Sequence, residues 1–416
     1  MMADKALSNR KIIIASYAHI AGGVFTTIGG PALAIKDYLK NKVKRLTCIW
    51  QPLPISDTLS VVTEIYEENK LAKVWKLPVI NWPFGREKAV SLIYIALKIR
   101  DIFSVPYFVL KSNCCYDYFI GIEALNAFSC VLLRKMGIVK RVIYYNFDYG
   151  EVRFKNKLLN SLFHFLDKIA INYADYTWYF SEYVLSARKK RGILEKDKLS
   201  SQLIVPIGIN FSKTKFLPID SIDRKRIVYL GTLYWSQGVH LIIESLPDIL
   251  KIDNDIKLVI IGSGVLEREL KHMVKEKNLD GYVKFTGIIS DEEAEKILSR
   301  SSIGLAPYFP DPHSTRIGSD PTKPKIYLSC GLPVVITRVP PIAEEIEKNQ
   351  LGIAINYNKE ELVAAIQRLI NDSYFYEECR KNIVNFISKY DWEIVLGNAF
   401  KALYDMELTE ELGWKK

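Results

Sequence analysis

The feature that most constrains the fold is a regular alternation of apolar strands and helical segments in the second half of the chain. We predict strands at 226–230, 258–261, 283–285, 303–307 and 333–337, and helices at 239–250, 265–278, 291–300 and 360–371. The strands are runs of consecutive apolar residues, which is typical of a parallel sheet covered by helices on both faces. The second half is therefore expected to form a doubly wound α/β domain.

The first half shows the same kind of pattern, less regularly. It opens with a buried strand at 11–16, a glycine loop and a helix near Pro31, because proline is favoured at a first helical position. Further strands are predicted at 45–50, 107–110, 118–120, 141–145 and 176–180, and helices at 126–136 and 156–172. A second parallel sheet follows from this pattern.

A break in the pattern at 205–220, marked by Pro206, Gly208 and Pro218, predicts a linker. The fold class we expect is α/β, with two Rossmann-like doubly wound domains at 1–210 and 220–390. A last helical segment within 391–416 has no strand partner and is expected to pack back on the first domain. Two such domains place a cleft between the carboxyl ends of both sheets, where a ligand is expected.

Positive charge is concentrated in the first half. The net charge is +10, and residues 1–220 carry about 32 Lys and Arg against about 18 Asp and Glu. Such a half suits an anionic membrane surface or a phosphate-bearing acceptor. The alternative is a merely lysine-rich exterior, and the run 188–191 is interpreted as a solvated loop. No segment resembles a helix-turn-helix or a zinc finger, so no nucleic-acid partner is expected.

Two further patterns bear on compartment and metal binding. The six cysteines lack the spacing of a metal site or a disulfide framework, which predicts reduced thiols in the cytoplasm and no metal. The apolar segments 12–35 and 90–110 are interrupted by glycine, proline or charged residues, so no transmembrane helix is expected. Attachment would then be peripheral, on the cytoplasmic face of a membrane.

The segment 320–335 reads as a polar loop, a short helix, a glycine turn and a buried strand. At such a helix start, backbone N–H groups together with Lys323 and Lys325 can converge on an anion. Arg316 lies in the long polar loop just before it, and loops of this length are often functional. A phosphorylated small molecule is the first expectation for a ligand, and a nucleotide-sugar is the sharper one.

Six segments, in this order, resemble family 4 glycosyltransferases of the two-Rossmann GT-B type. They are Tyr173–Ser181, Ile204–Asn210, Tyr229–Val239, Val259–Gly264, Val283–Gly287 and Cys330–Val335. The resemblance implies a sugar nucleotide on the second domain, an acceptor on the first and a retaining outcome. It also implies that no metal or other cofactor is needed, since helix N-termini and basic side chains neutralise the diphosphate.

Three positions depart from the family's pattern. Thr232 and Gln237 stand where relatives commonly place an arginine and a lysine on the diphosphate, in the loop that contains Gly231. Ile326 stands where a glutamate usually binds the donor ribose, and Asp320 is the carboxylate nearest to the paired upstream glutamate. Compensation is expected from Lys323, Lys325 or Arg316, with Gly231, Thr232 and Asp320 as further donor-binding candidates.

The resemblance also points to residues of the first domain. Gly29 and Gly30 resemble the glycine pair whose backbone approaches the donor, since no Cβ intervenes; the alternatives are a tight turn or the same role for 22–23. Asp148 follows a buried strand where relatives keep a His or Asp facing the cleft, and Glu123 ends the preceding strand. Both are candidate catalytic residues, and the alternative for Asp148 is a helix or turn cap.

The sequence therefore predicts a glycosyltransferase that moves a sugar from a nucleotide-sugar to a lipid-linked or polysaccharide acceptor. The missing charges and the missing glutamate leave an alternative open, a catalytically impaired GT-B homologue that acts as a binding or scaffold protein.

Overall fold

The computed structural model describes residues 7–21, 24–26, 31–53, 60–77, 90–146, 156–190, 192, 201–211, 216–311 and 319–411. The chain divides into two compact units. The first unit comprises Met1–Ile207 and Val395–Lys416, and the second comprises Gly208–Ile394. Both are α/β units with parallel sheets, so the predicted fold class is confirmed.

The first unit is built on a nine-stranded sheet in the order β5-β4-β3-β1-β6-β7-β8-β9, with β2 paired to β1. Its strands are β1 Lys11–Ala21, β2 Val24–Thr26, β3 Arg45–Pro52, β4 Val61–Glu67, β5 Lys70–Leu77, β6 Tyr116–Ile122, β7 Val139–Asn146, β8 Tyr176–Tyr179 and β9 Gln202–Ile204. The central strands are parallel, whereas β4 and β5 add an antiparallel hairpin at one edge that the sequence pattern did not predict.

Helices cover both faces of this sheet. The helices before the linker are α1 Pro31–Leu39, α2 Val90–Lys111, α3 Ala124–Lys135, α4 Lys157–Tyr173 and α5 Glu182–Lys190. The buried sides of α2, α3 and α4 share one core cluster with β1, β6 and β7. Across the sheet, α1 meets the C-terminal helix α13, Trp392–Glu411, where the rings of Tyr38 and Phe400 stack with centroids 5.7 Å apart. Trp178 of β8 contacts the same phenylalanine edge-on.

The strand predicted at 107–110 is wrong, because these residues form the last turns of helix α2. The local sequence is rich in aromatic and β-branched residues, which favour a strand, and it follows Pro106, a residue that disfavours a helix interior. Tertiary packing overrides that preference. Val105, Phe108 and Val109 are fully buried at helical spacing against the sheet, and only a helix points all three inward.

The second unit is a six-stranded, all-parallel sheet in the order β12-β11-β10-β13-β14-β15. Its strands are β10 Arg226–Leu230, β11 Lys257–Ile261, β12 Val283–Gly287, β13 Ile303–Ala306, β14 Val334–Thr337 and β15 Gly352–Ile355. Its helices are α6 Val239–Ile252, α7 Glu267–Glu276, α8 Asp291–Leu298, α9 Thr322–Ser329, α10 Ile342–Lys348, α11 Lys359–Asn371 and α12 Ser373–Ile387. Apolar clusters on the two faces of the sheet form its core.

Two smaller findings concern the cysteines and the helices. All six cysteines are free, and four of them are buried. Within the described residues, no helix is both long enough and apolar enough to span a bilayer.

Candidate functional site

The second unit has a topological switch point between β10 and β13, where the strand order reverses. Parallel α/β sheets bind ligands at the carboxyl ends of the strands flanking such a point. A cavity of about 230 Å³ lies there, at the ends of both strands. Its lining includes Gly231 and Thr232 after β10, Tyr308 after β13, and Thr322 and Lys323 at the start of helix α9.

Tyr327 holds helix α9 under the two strand ends. Its hydroxyl accepts a hydrogen bond from the N–H of Leu230 at 2.6 Å and donates one to the carbonyl of Leu305 at 3.1 Å. Gly304 makes room for the ring, since a Cβ there would lie 2.4 Å from Cγ of Tyr327. The start of the helix is thereby fixed against β10 and β13.

Lys323 extends from the first turn of α9 into the cavity lining and is 8% exposed. Its Nζ donates to Oε1 of Gln237 at 2.8 Å and lies 4.2 Å from the ring centroid of Tyr229. Gln237 is the position at which the family resemblance leads one to expect a lysine. The structure therefore brings a lysine from another element to the place where the loop lacks one.

Gly231 is the residue that allows this approach. Its φ of 140° is unfavourable for a residue with a side chain, and a Cβ there would lie 3.0 Å from Cε of Lys323. Thr232 follows on the cavity wall, and its carbonyl accepts from the hydroxyl of Tyr229 at 2.8 Å. Ile326 also lines the cavity, so an apolar side chain occupies the position of the expected ribose-binding glutamate.

Lys325 and Asp320 form a buried ion pair with each other. Nζ of Lys325 lies 2.6 Å from Oδ1 of Asp320 and 4.1 Å from the ring centroid of Tyr390, and the lysine side chain is fully buried. Burial lowers the pKa of Lys325, and the Asp320 carboxylate opposes that shift. The pair is outside the cavity lining that contains Lys323. A donor contact for either residue stays a prediction, and the described geometry favours a structural role.

The loop between β10 and α6 is held close to the end of β13 by Gly238. This glycine has a φ of 68°, and a Cβ would lie 1.7 Å from the carbonyl oxygen of Pro307. On the outer side of the loop, the rings of Trp235 and His240 stack with centroids 4.0 Å apart. Nε2 of His240 shares a short hydrogen bond with the hydroxyl of Tyr357, and burial lowers the pKa of this histidine.

In the first unit, Glu123 follows the carboxyl end of β6 and begins helix α3 with φ 69° and ψ 160°. This region of backbone space is almost restricted to glycine and costs roughly 1–3 kcal/mol for other residues. The N–H of Glu123 donates to the carbonyl of Tyr145 at 3.1 Å, which joins β6 to β7 at this strained turn. Strain at a strand end supports Glu123 as a candidate, and its catalytic role stays a prediction.

Four other candidates lie outside the described residues. They are Gly29, Gly30, Asp148 and Arg316.

Sequence reasoning missed a buried polar network in the first unit. Arg188 was interpreted as part of a solvated run, yet it is 1% exposed. Its Nη2 donates to both carboxylate oxygens of Asp167 at 2.7 and 2.8 Å, and the hydroxyl of Tyr144 donates to the same carboxylate at 2.6 Å. Arg188 lies one helical turn after the buried Val184 on α5. That spacing could have indicated that Arg188 faces inward.

Comparison with solved structures decides the fold. The chain is similar to sucrose-phosphate synthase from Thermosynechococcus elongatus, with a TM-score of 0.61 and 16% identity, covering 97% of this chain and 99% of that one. It is also similar to HepE of Anabaena in complex with UDP-glucose, with a TM-score of 0.62 and 15% identity, covering 95% and 100%. Residues 224–372 match the family model described as glycosyl transferases group 1. The fold is GT-B, and the match to the group 1 model lies within the second unit.

Curated relatives of this GT-B chain are distant. An uncharacterized glycosyltransferase of Methanocaldococcus jannaschii is 24% identical over 189 residues, which cover 44% of this chain and 46% of that protein. The GPI3 subunit of phosphatidylinositol N-acetylglucosaminyltransferase from Saccharomyces cerevisiae is 24% identical over 240 residues, covering 55% and 52%. The chain thus spans about half the length of these two. Chitobiosyldiphosphodolichol beta-mannosyltransferase of Debaryomyces hansenii is 23% identical over 394 residues, covering 85% and 80%.

Proposed function

We propose that this GT-B chain is a glycosyltransferase that moves a sugar from a nucleotide-sugar to a lipid-linked or polysaccharide acceptor. The observation that carries the proposal is the cavity at the switch point of the second unit, with Lys323 and the first turn of α9 in its lining. The match of the same unit to the group 1 family supports it.

The cavity suits a diphosphate. Pro321 and Pro324 have no N–H, so Thr322 and Lys323 supply the amide donors of the first turn of α9. The ammonium of Lys323 adds a full positive charge, and the Gln237 side chain that accepts its hydrogen bond is neutral. Complexes of HepE with UDP and with UDP-glucose support a nucleotide-sugar as the donor.

The proposed reaction needs stabilisation of the leaving diphosphate more than a protein nucleophile. The bond between the anomeric carbon and the diphosphate oxygen breaks, and its electron pair stays on the diphosphate. The acceptor hydroxyl oxygen forms the new bond and gives its proton to the diphosphate. Lys323 and the helix start lower the free energy of the charge that develops on the diphosphate. We propose that no metal is required and that the anomeric configuration is retained.

The acceptor is proposed from the relatives and from charge. The names of the relatives from Saccharomyces cerevisiae and Debaryomyces hansenii include a phosphatidylinositol and a diphosphodolichol, both lipid-linked. The first half of this chain carries the net positive charge, which suits an acceptor with a phosphate group at an anionic membrane surface. We propose a cytoplasmic protein that works on such a surface.

A binding or scaffold homologue without turnover is the second candidate. Thr232 and Ile326 favour it, because neither supplies the charge or the hydrogen-bond acceptor that the family resemblance leads one to expect. The presence of Lys323 beside Gln237 favours an active donor site instead.

A thermal-shift screen with UDP, GDP, ADP and dTDP tests the donor site, with the four nucleosides as matched controls. We expect one diphosphate to raise the melting temperature and its nucleoside to have little effect, since the contacts are with the diphosphate. The shift should survive EDTA. No response to any diphosphate would contradict the proposed site.

Transfer from the matching nucleotide-sugars to lipid-linked and polysaccharide acceptors then separates the two candidates. Product with the donor's anomeric configuration, identified by NMR, supports a retaining transferase. Binding without turnover on any acceptor would favour the scaffold homologue.

A further inference from the structure

Three helices of the first unit form a layer on one side of its sheet. Helix α2 packs on α3, and α3 packs on α4. Ser129 of α3 joins the first pair, since its hydroxyl donates to the carbonyl of Ile102 at 3.0 Å. The inner sides of all three helices are buried in one core cluster, through residues such as Phe108, Leu133 and Ile171. Their opposite sides therefore face away from the sheet together.

These outer sides are apolar as well. The exposed apolar residues of α2 are Ile99, Phe103, Tyr107 and Leu110, those in and just after α3 are Leu132 and Met136, and those of α4 are Leu158, Leu162, Phe165 and Tyr173. The exposed fractions reach 67% for Phe103 and 78% for Leu158. A helix that is apolar on both sides needs cover on both sides, and the sheet supplies only one. We call this set of ten residues the outer apolar layer.

The exposed charged residues described on these three helices are basic, and one of them, Arg134, pairs at 2.7 Å with Asp175, which follows α4. The exposed basic residues on or next to these helices are Lys111, Arg134, Lys135, Lys157 and Lys168. Among the described side chains of α2, α3 and α4, both acidic residues are buried and paired, Asp101 with Arg100 and Asp167 with Arg188. Nζ of Lys135 lies 4.5 Å from the ring centroid of Tyr173, at the border between the apolar and basic groups.

We propose that the outer apolar layer is the surface by which this protein binds an anionic lipid bilayer. Apolar and aromatic side chains enter the boundary between headgroups and acyl chains, and the surrounding lysines bind the anionic headgroups. The four exposed residues of α2 extend from Ile99 to Leu110, a rise of about 17 Å along the helix axis, so the helices can lie in the membrane plane. The inference rests on the membrane association proposed above and assigns it to a surface.

Charge favours a bilayer over a second copy of the chain as the occupant. A self-complementary interface would bring together two sets of the exposed lysines, with no exposed acidic residue described on these helices, which is repulsive. A bilayer with anionic lipids supplies the missing negative charge and the apolar cover at once.

The test is flotation of the full chain with vesicles of phosphatidylcholine alone and of phosphatidylcholine mixed with phosphatidylglycerol, which supplies the anionic headgroups. We expect binding to the anionic vesicles only, weakened by high salt. Leu158→Ser with Phe165→Ser removes two apolar groups without a change of charge and should lower the bound fraction about tenfold. Tyr374→Ser with Val384→Ser, two exposed positions of α12 in the second unit, is the matched control and should bind like the unchanged chain.

Each outcome has a distinct meaning. Absence of binding by the unchanged chain overturns the membrane association, and undiminished binding by the Leu158/Phe165 variant overturns the assigned surface. A dimer that the variant converts to a monomer, without vesicle binding, would assign the layer to a second copy. Nucleotide binding, followed by thermal shift in the same variants, should be unchanged, so failure here and failure of the donor site are separable.

Discussion

The helices of the two units are alike on the inside and different on the outside. In both units, the inner sides bury leucine, isoleucine, valine and aromatic residues against a largely parallel sheet. On the outside, the second unit has ion pairs one helical turn apart, such as Glu267 with Lys271 on α7 and Glu292 with Lys296 on α8. On the outside, the first unit has the outer apolar layer with basic residues around it.

The difference teaches that the fold does not require an apolar exterior. The second unit packs helices with charged outer sides on its sheet. Packing on a sheet therefore does not explain the apolar outer sides of α2, α3 and α4. The second unit instead has a cavity at the strand ends, lined by Lys323 among others, which is the proposed donor site.

The largest effect is expected from the buried ion pair of each unit. Asp320→Asn removes the carboxylate that pairs with the buried Lys325, and Asp167→Asn removes the one that pairs with the buried Arg188. Each should lower the free energy of unfolding by about 3–5 kcal/mol, because a buried charge that loses its ion-pair partner is costly. Urea unfolding, with hydrogen exchange to assign the affected unit, checks this.

The double variant Asp320→Asn with Lys325→Met is the control, since it removes both charges and should recover part of the loss. If the free energy of unfolding fell strongly in one unit and hardly at all in the other, the interiors of the two units would not be alike.

A smaller effect is expected at Gly238, on the loop beside the donor cavity. Gly238→Ala introduces a Cβ against the carbonyl of Pro307 at a positive φ, and should cost about 2–3 kcal/mol. Gly281→Ala is the matched control, because nothing lies within 4 Å of the added Cβ and its φ is ordinary.

Hydrogen exchange should show lost protection in the strands of the second unit after Gly238→Ala, while the first unit keeps its protection and its vesicle binding. Loss of vesicle binding in this variant would mean that the second unit contributes to the membrane surface.

The smallest effect is expected from the titration of His240 in the second unit. Its pKa in the folded state is lowered below the ordinary 6.5 by burial. The unfolded chain therefore takes up a proton more readily, and the free energy of unfolding falls as the pH drops below 6.5. His240→Gln should flatten this dependence between pH 7 and 5, as measured by urea unfolding. Equal slopes in the unchanged chain and in His240→Gln would contradict the assignment.

The sequence predicted β10 to β14 of the second sheet, because these strands are continuous apolar runs with glycine or polar turns between them, but it missed the edge strand β15. The strand prediction failed at 107–110, because Phe108 and Val109 are buried against residues distant in the sequence and a helix points both of them inward. It also missed the hairpin of β4 and β5, which turns at Glu68 and Asn69 with positive φ, conformations that such residues adopt less often than glycine.

The site was predictable in part. Position along the family pattern picked out Lys323, but its contact with Gln237 joins residues 86 positions apart and cannot be read from local spacing. The separation of Lys323 from Lys325 could have been predicted, because residues two apart on a helix point to different sides. The outer apolar layer was not predictable, since an apolar pattern does not tell which of its faces the sheet covers.

The most direct test of the donor site is a charge exchange between Lys323 and Gln237. Lys323→Met should weaken binding of the preferred nucleoside diphosphate about 10- to 100-fold by calorimetry, the usual range for a lost charged hydrogen bond. Adding Gln237→Lys places an ammonium about one hydrogen-bond length from the position of the lost Lys323 ammonium and should restore much of the affinity. Lys348→Met, an exposed lysine on α10, serves as the control. Equal affinity in the unchanged chain and in Lys323→Met would contradict the account.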